Sequence, residues 1–423
     1  MPKGRSEREL AEMDLFFKWS ITLTNVTMLC VCAPIAVSAG VGEARVSKVS
    51  PGFVERLLRE TPGPFSAVMA EASRHRLQVL VTAVEPNVGQ DGAVSTIRDG
   101  FRADAEYFYP ASAIKLCLAV AALTELSARR LSLDEPLSIG ARTMTPRRSL
   151  REMLVVSDNH AFDWLYDLTG HREAHERLWR SGTGSVRLAH RLGQGFTPEE
   201  NRQTPEVRFK GAVVIPSRKS DLDVAPIASS GTTVGHAHLD PRLRSLRASP
   251  MDFSAKNAVS LSELQALLVA LVLPEVRGEG AVPGLTDGDR RTLLSLLGED
   301  ARGLLGVNYD PSRHAETHFR PTLAGVLRVV GREHLEVYGK AGRAYGFHVE
   351  NTFYRDRRTG RGFFVTAVLY ANADEVVNDD KYDYATVSEP FFVALGEALA
   401  RGLLVGGAME KGATVSGSSR PPD

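Results

Sequence analysis

Two spacings of apolar residues divide this chain. Pro51 to Glu60 has the spacing of a short helix. Phe65–Ala70 and Leu77–Val84 alternate well enough to predict two strands joined at Ser73-Arg74-His75-Arg76. Residues 86–102 are polar and glycine-bearing, which predicts a loop with at most a short strand. From Ser112 onward Leu116, Ala119, Val120, Leu123 and Leu126 fall on one helical face, and Arg129-Arg130 suit a helix C-terminus. Ser149-Leu150-Arg151-Glu152 is a capping-box pattern and predicts a helix from Leu150 to about Val156. A further helix runs to Leu168 and stops at Gly170.

Residues 181–258 break the pattern. They are rich in Pro, Gly, Ser and Thr, with one apolar run at Ala212–Ile215, and predict a long loop containing an insertion at about 201–258. Helices return at Leu261–Leu273, opened by Ser260 with Glu263, and at about Asp287–Leu297. The last third is β-like: Glu336–Lys340, Ala344–Arg355 and Gly362–Ala371, the last two joined by a turn at Asp356-Arg357-Arg358-Thr359-Gly360. A helix from Glu389 to Leu403, with Ser388 as cap and Pro390 in its first turn, closes the domain. Strands, helices, strands, helix is the order of an α+β protein. Both chain ends build one sheet, the middle builds a helical lobe, and a cleft lies between them.

Composition narrows this only slightly. With 423 residues, 43% of them hydrophobic, the chain can bury a sizeable core, and its zero formal charge gives no argument for a nucleic-acid partner. Residues 19–37 form a mostly apolar run flanked by Lys18 and ending in Val37-Ser38-Ala39, a small-residue cleavage signal. This predicts a signal peptide over 1–39, a linker at 40–50 and an exported, periplasmic or extracellular domain over 51–405; an uncleaved membrane anchor is the competing reading. Residues 406–423 read as a disordered tail. After cleavage only Cys117 remains, packed on the apolar helix, so the fold has no intrachain disulfide and depends on its core.

The chemistry concentrates in three short stretches. Ser112 precedes Lys115 by three residues at a helix start, so the two share a face and the amine can reach the hydroxyl. A lysine serves as base where burial or neighbouring positive charge lowers its pKa. Ser157-Asp158-Asn159 falls on the turn between two helices, and Lys340-Ala341-Gly342 lies in the β-like third. Ser-x-x-Lys, Ser-Asp-Asn and Lys-Thr-Gly, in that order, mark class A β-lactamases and penicillin-binding proteins. The sequence therefore resembles the penicillin-recognising serine hydrolases, class A β-lactamases most closely, over roughly residues 50–405 with gaps.

The resemblance implies the β-lactamase/transpeptidase-like fold and a site without metal or organic cofactor. By motif, Ser112 would be the nucleophile and Lys115 its proton acceptor. Ser157 would relay a proton to the leaving nitrogen, Asn159 would bind the substrate's side-chain amide, and Lys340 would face Ser157 and the substrate carboxylate. The Ser112 and Arg343 amides would hold the oxyanion. Gly342 would leave room for a substrate along the strand edge. The partner implied is a small molecule, a β-lactam or cell-wall peptide, acted on by a monomer.

Two departures stand out. Ala341 replaces the usual hydroxyl residue, with Arg343 as a candidate guanidinium clamp for the carboxylate. The glutamate that resolves the acyl-enzyme in class A enzymes has no clear counterpart. Thr197-Pro198-Glu199-Glu200-Asn201 is the nearest match, and Glu199 and Glu200 read more readily as solvated loop carboxylates. His236-Ala237-His238-Leu239-Asp240 has a zinc-like look, but Pro241 stands where a further histidine is needed. His314 and His318 lack the glutamate of a zinc-protease helix.

Overall fold

The computed structural model describes residues 50–405 apart from 62, 87–92, 194–195, 226, 228–229, 241–242, 244, 278–280, 307–308 and 311–315. The predicted leader, most of the linker and the tail lie outside the described residues, as do Pro241 and His314.

One antiparallel sheet joins the two ends of the chain. Its strands are β1 (Gln78–Pro86), β2 (Val94–Phe101), β3 (Leu335–Gly339), β4 (Gly342–Ala344), β5 (Phe347–Asp356) and β6 (Gly362–Tyr370). The spatial order is β3-β5-β6-β1-β2, with β4 also on β5. Both faces of the sheet are covered. Phe363, Val365, Ala367 and Leu369 of β6 face one core, while Phe364, Val368 and Tyr370 face the other. That double burial is why β5 and β6 read as continuous apolar runs.

The first core is closed by α1 (Phe53–Glu60), α2 (Phe65–Ala70) and the C-terminal helix α9 (Glu389–Leu403). Phe391, Phe392, Leu395 and Leu399 are fully buried on α9. Each contributes about 1.5–3 kcal/mol by leaving water. The second core holds the helical lobe: α3 (Lys115–Arg129), α4 (Pro146–Val155), α5 (Asn159–Thr169), α6 (His171–Arg180), α7 (Leu261–Val272) and α8 (Asp287–Gly298). A buried polar chain fixes α7 on the sheet. Thr82 Oγ1 donates to Gln265 Oε1 (2.7 Å), Gln265 Nε2 donates to the Leu80 carbonyl (2.9 Å), and Thr366 Oγ1 donates to Asn351 Oδ1 (2.8 Å). With its partners satisfied, such a network specifies one docking angle.

The α+β reading and its cleft between sheet and helical lobe hold. Five local expectations do not. Phe65–Ala70 is helix α2, because its buried residues Phe65 and Val68 are three apart and seek one face. Residues 94–101 form a full strand, paired along β1 from Val79↔Phe101 to Pro86↔Val94. The fourth-helix cap is Thr145, whose hydroxyl accepts from the Arg148 amide; Ser149 lies inside α4 and donates to the Ala161 carbonyl. Residues 181–258 are not plain loop. They contain short paired strands, such as Val207–Phe209 against Leu137–Ile139 and Ala237–Leu239 beside Val376–Val377. Ser388 is likewise no side-chain cap for α9: its hydroxyl donates to the Tyr384 carbonyl and meets His348 Nδ1.

Candidate active site

Ser112 is the second residue of a 3₁₀ turn, Ala111–Ile114, that feeds directly into α3 at Lys115. Ala111 is held at φ 46°, a left-handed conformation uncommon for a residue with a side chain. The turn rests on β4. A Cβ on Gly342 would lie 2.5 Å from the Ser112 amide nitrogen and 2.6 Å from that of Ala113. Gly342 is therefore required by the serine turn itself. The expectation that it mainly clears space for substrate is corrected: its first neighbour is the backbone that carries Ser112.

The Ser157 turn approaches from the helical lobe. Ser157 also takes a left-handed conformation (φ 60°), and Asp158 caps α5 by accepting from the Ala161 amide at 2.7 Å. Strain of this kind costs about 1–3 kcal/mol and gathers at functional sites. It turns the Ser157 hydroxyl toward two amines. Lys115 Nζ donates to Ser157 Oγ at 3.2 Å and to Asn159 Oδ1 at 2.7 Å. Lys115 Nζ also donates to the Ser157 carbonyl. Lys340 Nζ reaches the same hydroxyl at 3.0 Å. Residues separated by 42 and 183 positions thus meet on one oxygen.

Both amines are buried, and burial disfavours the ammonium form. Desolvation holds Lys115 well below the ordinary lysine range, and the nearby Lys340 charge lowers it further, against Asp158 and Asp163. Lys340 is brought down to about 7, by burial first and then by the Arg320 guanidinium. A neutral Lys115 can accept a proton; a Lys340 that titrates near neutrality can hold a carboxylate and still pass a proton through Ser157.

The strand beside Ser112 is one edge in two pieces. β3 and β4 pair with β5 in a shared register, Gly339↔Thr352 and Gly342↔Val349, and the Lys340 amide donates to the Asn351 carbonyl at 3.0 Å. Lys340-Ala341-Gly342-Arg343 therefore lies along a sheet edge beside the nucleophile's turn. Asn159 is exposed at the start of α5, and its Oδ1 is held by Lys115 Nζ.

One expectation fails here, and the reading of Glu199 and Glu200 as solvated loop carboxylates holds. The Arg343 guanidinium is not a free clamp: Nη1 donates to Glu389 Oε1 at 2.7 Å, and the group lies 4.8 Å from the Tyr384 ring centre. Glu199 and Glu200 are committed elsewhere. Glu199 pairs with Lys219 at 2.9 Å, and Glu200 closes a capping box with Thr197. Both are exposed, and their partners hold both carboxyls below the usual range. Among the decoys, His238 Nδ1 donates to the Ser249 carbonyl.

Asp163 was not singled out by sequence, although it stands one helical turn after Asn159. Its carboxylate accepts from the Leu192 amide at 2.7 Å and the Gly193 amide at 2.9 Å, tying the segment that follows α6 to α5. Burial raises it to about 6 despite those donors.

Residues 98–210 match the model of the beta-lactamase enzyme family. That segment contains Ser112, Lys115, Ser157 and Asn159. No curated protein sequence matches the chain. Among solved structures, the chain is similar to a β-lactamase from Xanthomonas campestris pv. campestris, at 16% identity over 84% of this chain and 99% of that one, TM-score 0.45. It is similar to a β-lactamase from Sphaerobacter thermophilus, at 14% identity over 79% and 94%, TM-score 0.45. It is also similar to a PBP-A mutant in acyl-enzyme complex with penicillin G, at 14% identity over 83% and 97%, TM-score 0.44. Over residues 98–210 the chain is thus similar to the beta-lactamase enzyme family, and that segment carries the serine and the first lysine of the assembled site.

Proposed function

We propose that the chain opens β-lactam amides by the class A route, through an acyl-enzyme on Ser112. The observation that carries this reading is the convergence of Lys115 and Lys340 on the Ser157 hydroxyl, beside a serine turn pressed against a sheet edge. Neutral Lys115 takes the Ser112 proton as Oγ attacks the carbonyl. The Ser112 and Arg343 amides receive the developing oxyanion. Ser157 passes a proton from the lysine pair to the departing nitrogen, and the C–N bond breaks to leave an ester on Ser112. Lys340 holds the substrate carboxylate, and Asn159 holds the amide of its acyl arm. The enzyme works as an exported monomer on a small molecule, with no metal or organic cofactor.

A second reading is favoured by one specific observation. Glu199 and Glu200 are both tied to surface partners. Without a carboxylate over the ester, water attack is slow and the protein behaves as a penicillin-binding protein or D,D-peptidase. Stopped-flow mixing with a chromogenic cephalosporin separates the two. Many turnovers support the lactamase, a burst of one equivalent supports the slow acyl-enzyme, and no chromophore release from folded protein rejects both.

A further inference from the structure

Beyond the serine site, a cavity of about 330 Å³ lies between residues 187–202 and the insertion. His190 and Lys256 both line it. The His190 ring stacks on Tyr109, three residues before Ser112, at 6.4 Å between centres and 8° between planes. His190 Nδ1 donates to the Arg191 carbonyl at 2.6 Å, so in the neutral ring Nε2 is an acceptor. That Nε2 is buried and has no hydrogen-bond partner among the described residues. Burial and the Lys256 charge lower the imidazole to about 4, so it is neutral at pH 7.

Lys256 comes from the insertion. Its ammonium lies 5.5 Å from the Tyr345 ring centre and 6.0 Å from that of Phe253, and no carboxylate pairs with it among the described residues. Tyr345 directly follows β4. A substrate lying along the sheet edge has its Lys340 end filled by the two amines and Ser157. Its acyl arm therefore leaves past Arg343 toward Tyr345, where the insertion has placed a cation.

We propose that this cavity is a subsite for an acyl arm ending in an α-amino acid, its carboxylate on Lys256 and its amino N–H on His190 Nε2. The proposal rests on the hydrolase reading for the way the arm arrives. It gives the insertion a purpose: selecting substrates whose side chain carries both groups. Asp223, Asp252 and Arg202 also line the cavity, with Arg202 paired to Asp223 at 3.9 Å and Asp252 accepting from Ser254.

The test uses three cephalosporins that differ only in the acyl arm: aminoadipyl, adipyl and pentanoyl. Calorimetric titration of the Ser112→Ala chain reads binding without turnover, and kcat/KM on the wild-type chain reads selection. The expected order is aminoadipyl, then adipyl, then pentanoyl, with about a tenfold step for the charge. Lys256→Gln should bring the adipyl arm to the pentanoyl value and lower the aminoadipyl arm by the same factor. His190→Phe, which keeps the ring against Tyr109, should erase only the aminoadipyl advantage over adipyl. Equal affinities across the series, or a Lys256→Gln loss shared by all three, would overturn the subsite even if Ser112 acylates normally. Ranked binding with no acylation by any of the three would keep the subsite and reject the hydrolase reading.

Discussion

Lys115 and Lys340 share one acceptor, the Ser157 hydroxyl, at 3.2 and 3.0 Å. Two amines that close cannot both carry a full charge in a desolvated pocket, so at least one is neutral near pH 7. That pairing governs the first two predictions.

The pH profile of kcat/KM should be bell-shaped. The alkaline limb reports Lys340, which must be charged to hold a carboxylate and which titrates near 7. The acid limb reports Lys115, which must be neutral and lies well below the ordinary lysine range. Lys340→Met should remove the alkaline limb and lower kcat/KM by about a hundredfold or more, the scale of a lost transition-state contact. A wild-type profile flat from pH 6 to about pH 9 would contradict the assignment.

The same substitution should stabilise the fold. Lys340 has a folded pKa of about 7 against an ordinary 10.5. Across that window the unfolded chain binds more protons than the folded one, so this group's contribution to stability rises with pH. Its penalty is full below 7 and relieved toward 10.5. Lys340→Met should therefore gain about 1 kcal/mol or more at pH 6 and progressively less as the pH approaches 10. Thermal unfolding at the two pH values checks the sign; an equal loss at both would contradict it.

Gly342→Ala places a methyl group 2.5 Å from the Ser112 amide. Backbone stands on both sides, so β4 or the serine turn must shift. The cost should be about 1–3 kcal/mol in stability and at least about tenfold in acylation rate. A crystal structure of the variant should show the turn displaced. Unchanged kinetics would mean that the turn tolerates the shift.

Arg343→Gln should weaken the fold more than the kinetics. Its guanidinium serves Glu389 and the Tyr384 ring, and the pair is about one-quarter exposed. The expected loss is about 0.5–1 kcal/mol, with KM changed less than about threefold. Glu389→Gln should give the same loss without adding to it in the double variant. A tenfold KM rise for Arg343→Gln alone would restore Arg343 as a carboxylate clamp.

Much of this architecture was legible because long apolar runs admit few alternatives. β6, α7 and α9 fell within a residue of their predicted bounds, and β5 starts at Phe347 rather than Ala344. Phe65–Ala70 was misread because six nearly all-apolar residues fit a helix and a strand equally, and only tertiary packing decides. The insertion's two- to four-residue strands leave no periodicity to read. At the site, Lys115, Ser157, Asn159 and Lys340, singled out by motif, are joined by hydrogen bonds, and Ser112 lies on the turn against β4. It could not show that Arg343 is held by Glu389, 46 residues on, or that Asp163 anchors the backbone at Leu192 and Gly193. Side-chain partners so far apart in sequence carry no local signature.

The central claim is that Ser112 becomes covalently acylated with Lys115 as its base. Intact-mass spectrometry after mixing with a penicillin, followed by peptide mapping, tests it directly. The account predicts one added penicillin mass on the peptide containing Ser112, formed slowly or not at all in Lys115→Met and absent in Ser112→Ala. An adduct on another residue, or hydrolysis that survives Ser112→Ala, would contradict it.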